Sequence, residues 1–345
     1  SRLLRFHSDL GSVLSILVGA DSLKVGLYNL YSEEIAHVIR EIDVTSGPLH
    51  VLEQIVEIVD ESIAQKHNRN LAGIGIGVPG PVNRTAGWVE SPPTMPGWHR
   101  FPVAAWLREK FGCEVVIEND VNCMALGEKV AGLGRRCTDF VFVGIGHGIG
   151  AGIINGGKLH RGVNGCAGEL GHIQVASEGR LCLCGRTDCL ETIASGSAMA
   201  DIAAQKAQAD LDSALGRILT RNGQIRVEEV AILATQGDEN SSDIIRSAGE
   251  NLGKALTTVI TTLNPEAVIL GGDILTIVGD LFLASIRETI YRSTLPLATR
   301  DLSIQCSQLT KTGGMIGACS LLVDQLLHSN TGEFQGYGLT NSVFL

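Results

Sequence analysis

Phe140-Val141-Phe142-Val143-Gly144-Ile145-Gly146-His147, followed at once by Gly148-Ile149 and then Gly150-Ala151-Gly152-Ile153-Ile154, reads as a buried strand, a glycine turn and a return strand. The chain opens with the same pattern: Ser12 to Ala20 is an apolar run, and Leu23 to Leu30 alternates as its hairpin partner. Two strand–turn–strand units about 125 residues apart predict a duplicated domain. Strands and helices alternate around each copy. A third strand covers Ile35 to Ile42, and Pro48 to Gln65 carries Leu52, Ile55, Val56, Val59 and Ile63 at helical spacing. Leu71 to Val78 is a strand running into Pro79-Gly80-Pro81, followed by a helix over Phe101 to Phe111, a strand over Val115 to Glu118 and a helix over Val121 to Ala131. The second half adds a helical stretch at Ser195 to Leu219 and a long helix, Ser242 to Leu263, stopped by Asn264-Pro265. A strand at Ala267 to Leu270 then runs into Gly271-Gly272. The class is α/β.

The 345 residues are enough for two domains. The expected division is residues 1–120, completed by a C-terminal helix near 313–328, and 121–312, which carries a cysteine loop over 172–189. No Pro/Ser linker separates the halves, so the boundary near residue 120 reads as a hinge. Residues 329–345, polar and glycine-containing, predict a loosely held tail. Apolar residues make up 44% and the mean hydropathy is +0.20, which excludes a core-poor disordered chain. The 27 basic and 37 acidic residues leave a net charge of −10, with no basic run longer than Arg135-Arg136. This argues against direct DNA binding, which draws most of its affinity from neutralising phosphates. No stretch approaches the ~18–20 uncharged apolar residues of a membrane span, and the first residues lack the apolar core of a signal peptide. Nine cysteines, three of them in one loop, fit a reduced cytoplasmic chain holding a metal better than a disulfide scaffold.

That loop is the strongest chemical signal. Gly171-His172 followed by Cys182-Leu183-Cys184-Gly185-Arg186-Thr187-Asp188-Cys189 supplies one imidazole and three thiolates, with Gly185 permitting a tight knuckle. Four protein ligands, His172, Cys182, Cys184 and Cys189, make a closed tetrahedral zinc site, one structural ion per chain. Three buried free cysteines, or a Cys184–Cys189 disulfide, are the competing readings. Glu118-Asn119-Asp120 ends a strand and precedes a helix, where open α/β sheets place ligand-binding groups. Asp120 is either such a group or only the helix N-cap. Glu169 lies three residues before His172 and Glu191 two after Cys189, so a metal knuckle would hold both carboxylates in fixed geometry. Carboxylates beside an Asn amide suit sugar hydroxyls; the alternative is two solvated surface acids. The glycines from Gly144 to Gly152 sit between two strands, which excludes a dinucleotide fingerprint. They leave a choice between a phosphate-facing loop and a plain tight hairpin.

Val78-Pro79-Gly80-Pro81-Val82, Pro96-Gly97-Trp98, Glu118-Asn119-Asp120-Val121-Asn122, Gly148 to Ile154, Gly168-Glu169-Leu170-Gly171-His172, Cys182-Leu183-Cys184-Gly185 and Cys189-Leu190-Glu191 together resemble the ROK family of repressors and sugar kinases. The similarity runs in order from about Leu14 to about Leu322. It implies an actin-like, duplicated ribonuclease H-type fold with sugar bound in the cleft between domains. The implied sugar contacts are Gly80, Asn119, Asp120, Glu169, His172 and Glu191. In the family's kinases the acid matching Asp120 deprotonates the acceptor hydroxyl, and the histidine matching His172 ligates zinc while approaching the sugar. The implied partners are a sugar or sugar phosphate effector and further copies of the chain, as a homodimer or homotetramer.

The departures bear on the class. Family kinases carry Asp-x-Gly-Gly-Thr-Lys in the first hairpin; here the run is Gly19-Ala20-Asp21-Ser22-Leu23-Lys24, and only the lysine is retained. Gly19 replaces a carboxylate near the Mg²⁺ shell, Leu23 a threonine facing ATP phosphates, and Asp21 a glycine that lets the loop approach them. A carboxylate ~4 Å from a phosphate charge costs roughly 1–4 kcal/mol with surface-like screening. His147 also stands where the kinases usually have Thr. The resemblance therefore favours a sugar-responsive regulator over an ATP-dependent sugar kinase. The family's repressors place a winged helix-turn-helix before this hairpin, and Ser1 to Phe6 looks like the end of the joint to it. Operator DNA would then be reached only through that absent segment.

Overall fold

In the computed structural model, which describes residues 11–63, 71–309 and 311–329, two five-stranded sheets repeat one topology. The first contains β1 (Ser12–Val18), β2 (Ser22–Asn29), β3 (Glu34–Glu41) and β4 (Leu71–Val78). A two-stranded ribbon, β5 (Val82–Asn83) and β6 (Trp88–Val89), intervenes before β7 (Glu114–Asn119). The sheet order is β3-β2-β1-β4-β7; β1, β4 and β7 run parallel, and β2 and β3 are antiparallel additions. The second sheet is β10-β9-β8-β11-β12, built from β8 (Phe140–Ile145), β9 (Ile149–Asn155), β10 (Lys158–His160), β11 (Ala267–Gly271) and β12 (Ser303–Cys306). Its pairings have the same directions in the same order. This is the duplicated ribonuclease H-like arrangement of the actin-like ATPase fold.

Helices α1 (Pro48–Ile58), α2 (Val103–Phe111) and α3 (Asp120–Ala131) belong to the first unit. The second holds α4 (Glu191–Ala194), α5 (Gly196–Ala209), α6 (Ala214–Asn222), α7 (Val227–Thr235), α8 (Glu239–Leu263), α9 (Leu275–Ser293) and α10 (Pro296–Thr299). The chain passes between units at Val130/Ala131 and returns at Lys311/Thr312, so α11 (Gly313–Ser329) completes the first unit. The boundary expected near residue 120 falls at the start of α3, which packs with the first unit. No described helix is long and apolar enough to cross a membrane.

Strand periodicity builds the first core. Leu14, Ile16 and Val18 point to one face of β1, toward α1 and α2, while Val13 and Leu17 point to the other, toward α3 and α11. Both faces are covered, which is why β1 reads as an unbroken apolar run. β4 solves the same problem differently: Ile74, Ile76 and Val78 fill the α1 side, and Gly73, Gly75 and Gly77 make up the other. A methyl on Gly75 would run into the Ala318 carbonyl of α11, and one on Gly73 would sit 2.9 Å from Leu322. The alternating glycines therefore let α11 lie against the backbone of β4.

Two expectations are revised. Ser195 to Leu219 is not one helical stretch, because Asp210 to Ser213 breaks it and the Ser213 hydroxyl caps α6 by accepting from Gly216 N (3.0 Å). The helix from Pro48 becomes α1 followed by a π turn over Val59–Ile63. Its last two expected residues, the Ser1–Phe6 joint and the tail beyond Ser329 lie outside the described residues.

Candidate functional site

The His172, Cys182, Cys184 and Cys189 side chains form one cluster in the second unit, with one ligand atom from each lying within 4.8 Å of the others. A 3-10 turn, Leu170–His172, delivers the imidazole. The thiols come from a small hairpin in which Leu181 pairs with Thr187, Cys182 N donates to Arg186 O (2.8 Å) and Gly185 takes a left-handed φ of 85°. Cys182 Sγ is 3.6 Å from His172 Nδ1, and Cys184 Sγ is 3.7 Å from Cys189 Sγ, so the cysteines are free. Burial pushes the Cys189 thiol up to about 12, helped by its bonds to Cys184 and Cys182. Burial also pushes Cys184 up, but the Arg186 backbone N–H and guanidinium outweigh it and bring that thiol down to about 6. With Nδ1 turned to Cys182 Sγ, His172 Nε2 lies 3.9 Å from Glu169 Oε2.

Glu169 and Glu191 flank the stretch of chain that carries this cluster. Burial raises the Glu169 carboxyl above its usual range; the Glu191 charge adds to the rise and His172 opposes it. Glu191 Oε2 accepts from Ile149 N (3.1 Å), which ties it to the turn between β8 and β9. That turn explains one glycine. A methyl on Gly148 would penetrate Glu191 Oε2 and lie 3.2 Å from its Cδ, so Gly148 makes room for the carboxylate.

In the first unit the strand-to-helix corner is organised by Glu118. Glu118 is 2% exposed, and its Oε1 accepts from both Asn119 N and Asn122 Nδ2 (3.0 Å each). Asn119 provides the helix cap: its Oδ1 accepts from Asn122 N (3.0 Å) while its Nδ2 donates to Gly80 O (3.1 Å). Gly80 is thereby joined to Asn119. Asp120 begins α3, and its Oδ1 accepts from Val121 N (2.9 Å). The N-cap alternative for Asp120 therefore passes to its neighbour. Glu118 and Asn122 were legible only as neighbours of Asn119 and Asp120; a glutamate closing an otherwise apolar strand was the available signal.

In the β1–β2 turn, Gly19 N donates to Ser22 O (2.7 Å) and Asp21 is exposed. Leu23 is 0% exposed, pairs across the hairpin with Val18 and belongs to the apolar core. Its side chain fills the interior and does not face the turn. On the second hairpin, His147 is exposed between Gly146 and Gly148.

The ROK family model matches residues 13–325 of this chain. Over 329 residues the chain is 29% identical to the xylose repressor of Caldicellulosiruptor bescii, spanning 94% of this chain and 81% of that protein. The crystal structure of a ROK family transcriptional regulator, a homologue of the E. coli MLC protein, matches with a TM-score of 0.80 at 30% identity, covering 93% of this chain and 79% of that one. A ROK family glucokinase from Streptomyces griseus in complex with glucose and AMPPNP matches with a TM-score of 0.78 at 29% identity, covering 90% and 99%.

Proposed function

This chain belongs to the ROK family, and on that premise we propose that it is the sugar-sensing, self-associating part of a transcriptional regulator. Operator DNA is read by a helix-turn-helix outside these residues, since a net charge of −10 argues against a DNA-binding surface on this chain. The effector is a sugar or sugar phosphate held by Gly80, Asn119, Asp120, Glu169, His172 and Glu191. The observation that carries the choice of regulator over kinase is the β1–β2 turn. An exposed carboxylate, Asp21, stands where a phosphate would approach, Gly19 brings no carboxylate for a metal, and Leu23 is committed to the core. A coupled ADP-release assay over hexoses and N-acetylhexosamines should give no turnover, while calorimetry with the same panel should find a binder.

The second reading is a sugar kinase in which Asp120 takes the proton from the acceptor hydroxyl. It draws on Asn119, not Asp120, capping α3 and on the likeness to a glucokinase. A rate in the ~1–100 s⁻¹ range usual for kinases would favour it.

For the four-ligand cluster we propose a zinc ion. Bonds of ~2.3 Å to sulfur and ~2.0–2.1 Å to nitrogen at the tetrahedral angle put two sulfurs ~3.8 Å apart and a sulfur ~3.6 Å from the nitrogen. The 3.7 and 3.6 Å spacings match two edges of that cage, and the four ligand atoms lie within 4.8 Å of one another. Four protein ligands leave no open position, so the ion supplies a cross-link and no reaction step. Ligation through His172 Nδ1 puts the ring proton on Nε2, which turns a donor toward Glu169 and a sugar oxygen.

A further inference from the structure

Asp188 is a spacer in the cysteine motif, one residue before Cys189, and nothing in the sugar or metal chemistry above uses it. Its structure is unlike that of a spacer. The residue is 2% exposed, although aspartate belongs on a surface, and its φ of +55° is a left-handed conformation that glycine adopts more readily. Its carboxylate holds the arm that leads into Cys182: Oδ2 accepts from Gly179 N (2.9 Å) and Oδ1 from Arg180 N (3.0 Å). The main chain of the same residue completes the junction. Asp188 N donates to Arg180 O (2.7 Å), and Val175 N donates to Asp188 O (3.0 Å), which fastens the segment just after His172. Cys189 pairs with Gln174 on that segment. One residue thus joins the three stretches of chain that carry the four ligands.

We propose that Asp188 is the positioning residue of the zinc knuckle, its carboxylate clamping the 179–180 arm so that Cys182 and Cys184 meet His172 and Cys189 already in place. The inference rests on the zinc reading of the cluster. The conformation makes it separable from a packing role. If aspartate were there only to fill a left-handed position, glycine would fill it at least as well. If the carboxylate clamp matters, glycine relieves the backbone and still loses the metal.

The experiment is competition for zinc between a chromogenic chelator and the full chain, in wild type, Asp188→Gly and Asp188→Asn. Amide hydrogen exchange at Gly179 and Arg180 is followed in the same three proteins. Asp188→Gly should weaken zinc binding at least about tenfold, the lower end for outer-shell partners of a metal site. It should also expose the Gly179 and Arg180 amides to exchange. Asp188→Asn, which keeps one acceptor oxygen, should fall between. Zinc affinity in Asp188→Gly equal to wild type overturns the proposal. A wild-type chain that takes up no zinc overturns the metal reading instead, and the clamp is then judged by the two amides alone: unchanged exchange in Asp188→Gly refutes it.

Discussion

Replacing Gly148 by alanine tests whether Glu191 is held where a ligand would need it. The added methyl would overlap Glu191 Oε2 and crowd the carboxyl carbon at 3.2 Å, and both atoms belong to the end of one side chain that can turn away. The carboxylate must therefore retreat, and its 3.1 Å bond from Ile149 N goes with it. A hydrogen bond to a charged group contributes ~1.5–3 kcal/mol, and the half-buried setting of Glu191 points to the lower half of that range. Gly146, two residues earlier in the same turn, is the control. A methyl there meets nothing within 4 Å, and the residue does not adopt a left-handed φ. Urea unfolding followed by circular dichroism should show Gly148→Ala less stable by about 1.5–2 kcal/mol and Gly146→Ala within ~0.5 kcal/mol of wild type. Sugar affinity should fall in the first variant only. Equal midpoints for the two variants would refute the idea that Gly148 exists to seat Glu191.

Metal analysis of protein purified without chelator should find one zinc per chain. Cys184→Ser should hold less than half an equivalent and lose at least ~2 kcal/mol, roughly 4–8 °C in melting temperature for a unit of this size. Asp120→Asn, which exchanges an acceptor for a donor at nearly constant shape, should weaken binding of the sugar recognised by wild type by about 1–3 kcal/mol in calorimetry; unchanged affinity would remove Asp120 from the site. Gly317→Ala should destabilise the chain by ~1–3 kcal/mol or more in urea, because the new methyl would enter the Cys123 carbonyl where α11 crosses α3; a neutral result would mean that the two helices can part without loss.

The duplication was legible because each copy opens with the densest apolar pattern in its half, and strand–glycine–strand spacing leaves few alternatives. β12 was not legible: Ser303-Ile304-Gln305-Cys306 has one fully buried side chain and takes its place from the parallel register with β11. The division of Ser195 to Leu219 was missed although its signal was present, since Asp210 and Ser213 are turn and cap residues inside an otherwise helical run. At the strand-to-helix corner the right residues were in view, but which of two adjacent side chains caps α3 depends on backbone angles that spacing cannot supply. The role of Asp188 had the weakest trace. An aspartate between two ligand positions looks like filler until its left-handed φ and its two captured amides are known.

The cysteine loop also gives the proposed zinc a structural reason. Leu181 is 80% exposed and Leu183 72%, so the hairpin that carries Cys182 and Cys184 buries little apolar surface of its own. Cys182 and Cys184 turn toward the cluster from a tight turn closed by Gly185 N donating to Cys182 O (2.9 Å), while Leu181 and Leu183 are left facing out. A segment without a core must be closed by something else, and four ligands converging on one point do in a few residues what packing does elsewhere with dozens. The consequence for function is that Glu169, His172 and Glu191 share one anchor. His172 would itself be a ligand, Glu169 enters the 3-10 turn that carries it, and Glu191 follows Cys189 by two residues into α4. On the proposed reading, stripping zinc moves all three sugar contacts together, whereas Asp120 and Asn119, fixed by Glu118 and the α3 cap, remain in place. A chelated chain should therefore lose sugar binding while its first unit keeps its fold.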